Sequence, residues 1–276
     1  MKVLVTGKDG FIGKHLVSSL GGMDIISVGR SDIDLTNRAQ VNALFELHTF
    51  DVVVHTAISG VIHKNIDDSS VIRNNLLMFY NILSNKHRFG KLIQLGSGAE
   101  LDRFNGHPIN EFSQLSCSYP VDNYGISKNI ISKLCKLEQN CYTLRIFNVF
   151  GFGELPTRMM HNNISRYINK QEMVIAKNRL MDFFSIEDFI SVCNLYIHNN
   201  GLPRDIDCCY SNKTTLCDIA NIINKLDKHK VDINVQSPEM GLSYCGNSAA
   251  LDQLPLSLQG LQQGMLDLHR ALIPNN

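Results

Sequence analysis

The stretch Thr6-Gly7-Lys8-Asp9-Gly10-Phe11-Ile12-Gly13 narrows the folds open to this chain more than any other. Its three evenly spaced glycines stand directly behind a short apolar run, Lys2–Thr6, and ahead of a helical pattern that opens at Phe11. In that context Gly7 permits a tight turn, Gly10 lets the backbone approach a pyrophosphate, and Gly13 lets the helix pack on the sheet. Phe11 and Ile12 begin a helix whose unpaired N–H groups and positive end attract phosphate. The expectation is a dinucleotide site at the first strand-to-helix turn.

The rest of the first half supports that fold. Short Val/Ile/Leu runs at Asp24–Val28, Val52–His55, Lys91–Leu95 and Tyr142–Ile146 are near-continuously apolar, as for strands buried on both faces. Helical patterns alternate with them at Phe11–Leu20, Asn37–His48 with Thr36 as cap, Asp68–His87 and Val121–Leu137. This order predicts an α/β, Rossmann-like, doubly wound parallel sheet over residues 1–150. Past residue 150 the rhythm changes. Helices are expected near Met159–Asn169, at Ile186–His198 behind a Ser185 cap, from Thr214 or Thr215 to Leu226, and near Leu258–Leu272, with strands near Val174–Ala176, Asp205–Tyr210 and Asp232–Val235. Residues 151–276 therefore read mainly as a smaller C-terminal substrate-binding lobe, part of which returns to the core sheet.

Composition removes other classes. The 276 residues are 44% hydrophobic and 19% charged, enough apolar material for a sizeable core. Lys and Arg number 26 and so do Asp and Glu, so no overall field recruits nucleic acid or a membrane surface. No apolar run approaches the roughly 18 residues of a membrane span, and the N-terminus reads as a strand rather than a signal peptide, so a cytoplasmic protein is expected. The 8 cysteines and 10 histidines form no metal-site spacing, and the cysteines read as free thiols.

A second constellation carries chemistry. Tyr124-Gly125-Ile126-Ser127-Lys128 places a phenol and an ammonium on one helix face. A tyrosine with an ordinary pKa of about 10 is a poor acid or base at neutral pH, and a nearby cation favours its phenolate. After the second strand the chain reads Val28-Gly29-Arg30-Ser31-Asp32-Ile33-Asp34-Leu35. No acid stands at the strand end for a ribose 2′-hydroxyl, while Arg30 can meet a 2′-phosphate, so NADP(H) is favoured over NAD(H).

With these motifs the chain resembles the extended short-chain dehydrogenase/reductases, in the branch that acts on nucleotide sugars. Further matching pieces are His55-Thr56-Ala57, Asn74-Asn75, Leu95-Gly96-Ser97, the run from Leu144 to Gly151 and the run from Met181 to Asp188. The resemblance implies that Tyr124 exchanges a proton with the substrate's C4 oxygen, that Ser97 hydrogen-bonds the same oxygen, and that Lys128 holds the nicotinamide ribose. It places Asp34 and Leu35 near the adenine, and His55, Ala57 and Asn75 along the cofactor groove. His55 reads equally well as a structural histidine and Asn75 as a helix-buried amide. Asn148 resembles the residue facing the sugar diphosphate, and Arg158 and His161 lie on the most polar wall of the C-terminal lobe. Arg145 reads alternatively as an ion-pair partner inside the fold. A homodimer through the helix carrying Tyr124 and the helix before it is also implied.

Departures from the family pattern direct the choice of reaction. Nucleotide-sugar 4,6-dehydratases resemble one another in an Asp-Glu pair directly after the catalytic threonine, whereas Gly98 and Ala99 follow Ser97 here. Glu100 is one place further on and would face the other side of an extended segment. The GDP-fucose synthase branch uses a cysteine where this chain has Ala99, although His161 falls close to that branch's histidine. The preferred expectation is an NADPH-dependent reductase of the C4 ketone of a nucleotide-linked 4-keto-6-deoxy sugar, with Gly98 beside Ser97 in the sugar pocket. The alternatives are an NAD-dependent C4 epimerase and a non-catalytic NADP-binding scaffold.

Overall fold

A computed structural model describes residues 1–60, 68–101 and 119–273. The chain clusters into two compact units. The first takes the described residues up to 145 together with Cys193–Ile206, and the second takes Ile146–Val192 and the residues from 207 onward.

The N-terminal half alternates β1 (Lys2–Thr6), α1 (Phe11–Ser19), β2 (Asp24–Val28), α2 (Arg38–Leu47), β3 (Phe50–His55), α3 (Ser70–Leu83), β4 (Phe89–Ser97), α4 (Asn123–Leu137) and β5 (Cys141–Ile146). Then follow β6 (Val149–Phe150), α5 (Met159–Ile168), β7 (Met173–Lys177), β8 (Phe184–Ser185), α6 (Ile186–His198), β9 (Asp205–Cys208), α7 (Leu216–Ile223), β10 (Ile233–Ser237) and α8 (Leu261–Leu272).

Six strands form the main sheet in the order β2-β1-β3-β4-β5-β9. β1 pairs in parallel with β2 on one side and β3 on the other, so the strand order reverses at β1. Ligands of open α/β sheets bind at the carboxyl ends of the strands beside such a reversal. Val3, Leu4 and Val5 have no exposure, as expected for a central strand covered on both faces. Leu4, Val53, Phe45, Phe79, Leu92 and Ile131 share one core cluster. The segment returning after α6 is anchored by Lys91 of β4, whose buried ammonium donates to the Tyr196 and Asn199 carbonyls at 2.7 Å each. Those carbonyls are at the negative end of a helix, where a cation is favoured.

In the second unit, α5, α7 and α8 contribute Ile164, Tyr167, Ile219, Ile223, Met265 and Leu268 to one core with Met173 and Ile175 of β7. β7 pairs in parallel with β10.

Helix ends follow side-chain chemistry. Asn37, rather than Thr36, caps α2, with its Oδ1 accepting from Ala39 and Gln40. Thr36 is already engaged, its N–H and hydroxyl both donating to Asp34 Oδ1. Ser185 Oγ accepts from Asp188 N at 3.2 Å, as expected of a cap for α6. Thr215 and Asp218 form a reciprocal capping box on α7. The seven described cysteines are free thiols, and Cys117 lies outside the described residues. No described helix is long and apolar enough to cross a membrane.

Candidate functional site

The glycine turn is built as a cradle of backbone. Gly7 has φ +75°, and a Cβ there would fall 2.7 Å from the Ala57 backbone nitrogen, so only glycine lets the turn lie against the end of β3. The Gly7 N–H donates to the Val28 carbonyl at 2.8 Å, and that of Gly10 closes back on Gly7 O at 3.0 Å. Gly10 is the N-cap of α1 and brings no side-chain cap, which leaves the first-turn N–H groups, beginning with Phe11, Ile12 and Gly13, uncovered by protein side chains. A cradle that side chains would fill, and a helix start without a cap, fit a dinucleotide pyrophosphate.

At the turn after β2, Lys8 pairs with Asp32 at 2.6 Å, and Asp32 also accepts from Gly29 N at 2.7 Å. The hydrogen bond to Lys8 holds the Asp32 carboxyl below its ordinary value. Arg30 is exposed. Asp34 is spent on Thr36, and Leu35 is buried in the core with its carbonyl accepting from Asn81.

At the end of β3 the buried His55 ring places Nδ1 2.7 Å from Thr6 Oγ1. Burial, and then the charge of Lys128, pull its pKa down to about 3, so it is neutral. Asn75 of α3 accepts from Ser59 N at 2.8 Å and donates to Ser127 Oγ at 3.0 Å, joining the loop after β3 to α4.

Ser97, Tyr124 and Lys128 all belong to this first unit. Asp122 caps α4, so Tyr124 stands half-buried in its first turn and Lys128 is buried one turn further along. A Cβ on Gly125 would lie 2.6 Å from the Ala99 carbonyl oxygen, so the glycine beside Tyr124 lets α4 sit against the turn that follows Ser97. Lys128 Nζ donates to the Leu95 carbonyl at 2.7 Å. Burial pushes its pKa down to about 8, against an upward pull from Glu100 and Cys135. Ser97 Oγ accepts from Ala99 N at 3.2 Å, which leaves its own proton for another acceptor.

Glu100 departs from expectation. Residues Gly98–Leu101 form a 3-10 turn rather than an extended segment, so Glu100 folds back into the protein. Its Oε1 accepts from Ser97 N at 2.7 Å and its Oε2 from Arg145 Nε at 3.0 Å. Arg145 is thus the internal ion-pair partner, held also by Asp205 at 2.8 Å.

The second unit groups Asn148, Arg158 and His161. Arg158 Nη2 lies 3.4 Å from Asn148 Oδ1, and Asn148 Nδ2 donates to the Asp182 carbonyl at 2.9 Å. Glu154 was not evident from sequence. Burial raises its carboxyl to about 7 despite Arg158 at 3.3 Å, and its Oε1 is buried with no hydrogen-bond partner. The i,i+4 spacing of Glu154 and Arg158 was the one signal available. His161 Nδ1 is likewise buried without a partner, and burial lowers its pKa.

A glycine turn at the strand reversal and a Tyr/Lys helix seated on a serine turn define the class of extended short-chain dehydrogenase/reductases. The chain belongs to the NAD dependent epimerase/dehydratase family, whose model matches residues 3–209. It is similar to the GDP-6-deoxy-D-talose 4-dehydrogenase of Aggregatibacter actinomycetemcomitans, at 25% identity over 84% of this chain and 82% of that one. Among solved structures it resembles a GDP-L-fucose synthetase from Naegleria fowleri (TM-score 0.82, 17% identity, covering 98% of this chain and 92% of that one). It also resembles the GDP-mannoheptose C4 reductase of Campylobacter jejuni, solved with NADP bound (TM-score 0.81, 16% identity, 98% and 97% covered).

Proposed function

We propose that this protein is an NADPH-dependent reductase acting on the C4 ketone of a nucleotide-linked 4-keto-6-deoxy sugar. The observation that carries the reading is the seating of the Tyr124 end of α4 against the Ser97 turn, with Ala99 rather than an acid or a thiol beside it. Gly7, Gly10, Phe11, Ile12 and Gly13 would hold the dinucleotide's pyrophosphate, Arg30 its 2′-phosphate and Lys128 its ribose. When bound, the reduced nicotinamide supplies the hydride.

The protein's own groups manage the oxygen. Ser97 donates its hydroxyl proton to the C4 oxygen, because the Ala99 N–H already occupies one of its lone pairs. Tyr124 donates the proton that the developing alkoxide needs. Lys128 has three N–H donors and spends one on Leu95, leaving two for the ribose and for the field at Tyr124. The names of two comparison proteins, a 4-dehydrogenase and a C4 reductase of GDP-linked sugars, support redox chemistry at this carbon and a guanosine nucleotide as the first to try.

The test is anaerobic incubation with NADPH and a panel of 4-keto-6-deoxy sugar nucleotides, GDP-linked ones first. Stoichiometric NADPH loss with a 4-hydroxy product by NMR is expected, and Tyr124→Phe should lower kcat roughly 100-fold or more while NADPH still binds. Interconversion of 4-hydroxy sugars by protein carrying bound NAD would assign a C4 epimerase instead. Undiminished pathway activity in the Tyr124→Phe protein would indicate a scaffold.

A further inference from the structure

The Glu100 carboxylate is the most enclosed charged group beside the proposed catalytic residues, and the chain makes room for it. Glu100 and the Arg145 side chain that meets it are 0% and 5% exposed. A Cβ on Gly96 would lie 2.6 Å from Glu100 Oε1, so the glycine before Ser97 is what admits the carboxylate. Each carboxylate oxygen accepts from a different N–H, Ser97 N at 2.7 Å and Arg145 Nε at 3.0 Å. Asn129 of α4 donates to the Glu100 carbonyl at 2.9 Å, so the same residue also holds the helix that carries Tyr124 and Lys128. We infer that Glu100 is a positioning residue for this site, clamping the Ser97 turn through its carboxylate and the helix of Tyr124 and Lys128 through its carbonyl. The inference rests on the roles proposed above for Ser97 and Lys128.

Burial, with Asp205 adding to it, holds the Glu100 carboxyl above its ordinary value, while the Arg145 guanidinium and the Ser97 N–H pull it part of the way back. With both oxygens used as acceptors, the arrangement is built around the ionised form. The groups that act electrostatically on or with Lys128 are Glu100 from the turn, Cys135 from its own helix and the neutral His55 from β3. Of these Glu100 pulls the Lys128 pKa upward most strongly, against the lowering by burial. Without it the ammonium is lost at lower pH.

Two variants separate the parts of the clamp. Glu100→Gln removes the charge and leaves one acceptor oxygen for two N–H donors. The high-pH limb of kcat should move down by about one pH unit or more, and kcat should fall roughly 10- to 100-fold with little change in sugar KM. Glu100→Asp keeps the charge on a shorter arm. It should bring the limb back toward the wild-type pH while kcat stays low. NADPH binding, followed by its fluorescence across pH, gives a readout independent of turnover, and its high-pH loss should shift in the same way in Glu100→Gln. If wild type turns over no sugar nucleotide, the reductase reading fails while the binding profiles still test Glu100. Unshifted limbs in both kcat and binding, or failure of both variants to fold even with NADPH, would make Glu100 a structural residue only and overturn the inference.

Discussion

His55 shows how a single residue at this site couples protonation to folding. Its ring is buried between the Thr6 hydroxyl and the charge of Lys128, and its pKa is pulled down to about 3 from 6.5. Between those values the unfolded chain binds a proton that the folded chain refuses, so stability rises with pH there and is lost as pH falls below 6.5. At pH 4.5 the loss amounts to roughly 2–3 kcal/mol. Glu154, raised to about 7, works in the opposite sense, since the folded chain then binds the extra proton between about pH 4.5 and 7. His55→Gln leaves Glu154 untouched. Urea unfolding of the variant should therefore show a stability change from pH 7 to pH 4.5 more favourable than wild type by that 2–3 kcal/mol. Equal changes in the two proteins would mean that His55 is not buried in its neutral form.

At the scale of elements, α4 carries the Tyr/Lys motif, and its placement depends on Gly125. In an exposed helix interior an alanine is favoured over glycine by about 1 kcal/mol. Here the added methyl would meet the Ala99 carbonyl oxygen at 2.6 Å and Pro120 Cβ at 2.6 Å, and the first of these is backbone. Gly125→Ala should therefore destabilise by about 1–3 kcal/mol, against its helix propensity, and should lower kcat more than it weakens NADPH binding. A stabilised variant of normal activity would show that α4 does not press on the Ser97 turn. The Tyr/Lys spacing and the helix itself were legible in sequence because periodicity and side-chain type are local signals. The cap of α2 was misassigned by one residue because Thr36 and Asn37 are both good caps and only the Asp34 side chain decides between them. The inward direction of Glu100 was hidden because a two-residue alternation holds only for extended chain, and residues 98–101 turn.

For the whole molecule, strands β1 to β5 could be read as apolar runs, and the glycine turn pointed to a dinucleotide at their carboxyl ends. Which residues after 150 join the first unit, Cys193–Ile206, and which strand pairs with β7, namely β10, depend on partners distant in sequence that no local run reveals. Cofactor preference is likewise a property of charges brought together by folding. Lys8, from the glycine turn, pairs with Asp32, while a second acid, Asp9, lies against Gly29 at the end of β2, and Arg30 is exposed. On the reading proposed above, Arg30 would meet a 2′-phosphate there. Binding to the native state alone stabilises by about 2.7 kcal/mol at a hundredfold excess over Kd. At ~2–4 °C per kcal/mol for a chain of this size, NADPH should raise Tm by about 5–10 °C. NADH at the same concentration should raise it less, and Arg30→Ala should close the gap by reducing the NADPH shift while leaving that of NADH in place. A larger shift with NADH would mean that an acid near β2 does reach the ribose, and would move the functional reading toward an epimerase with retained NAD.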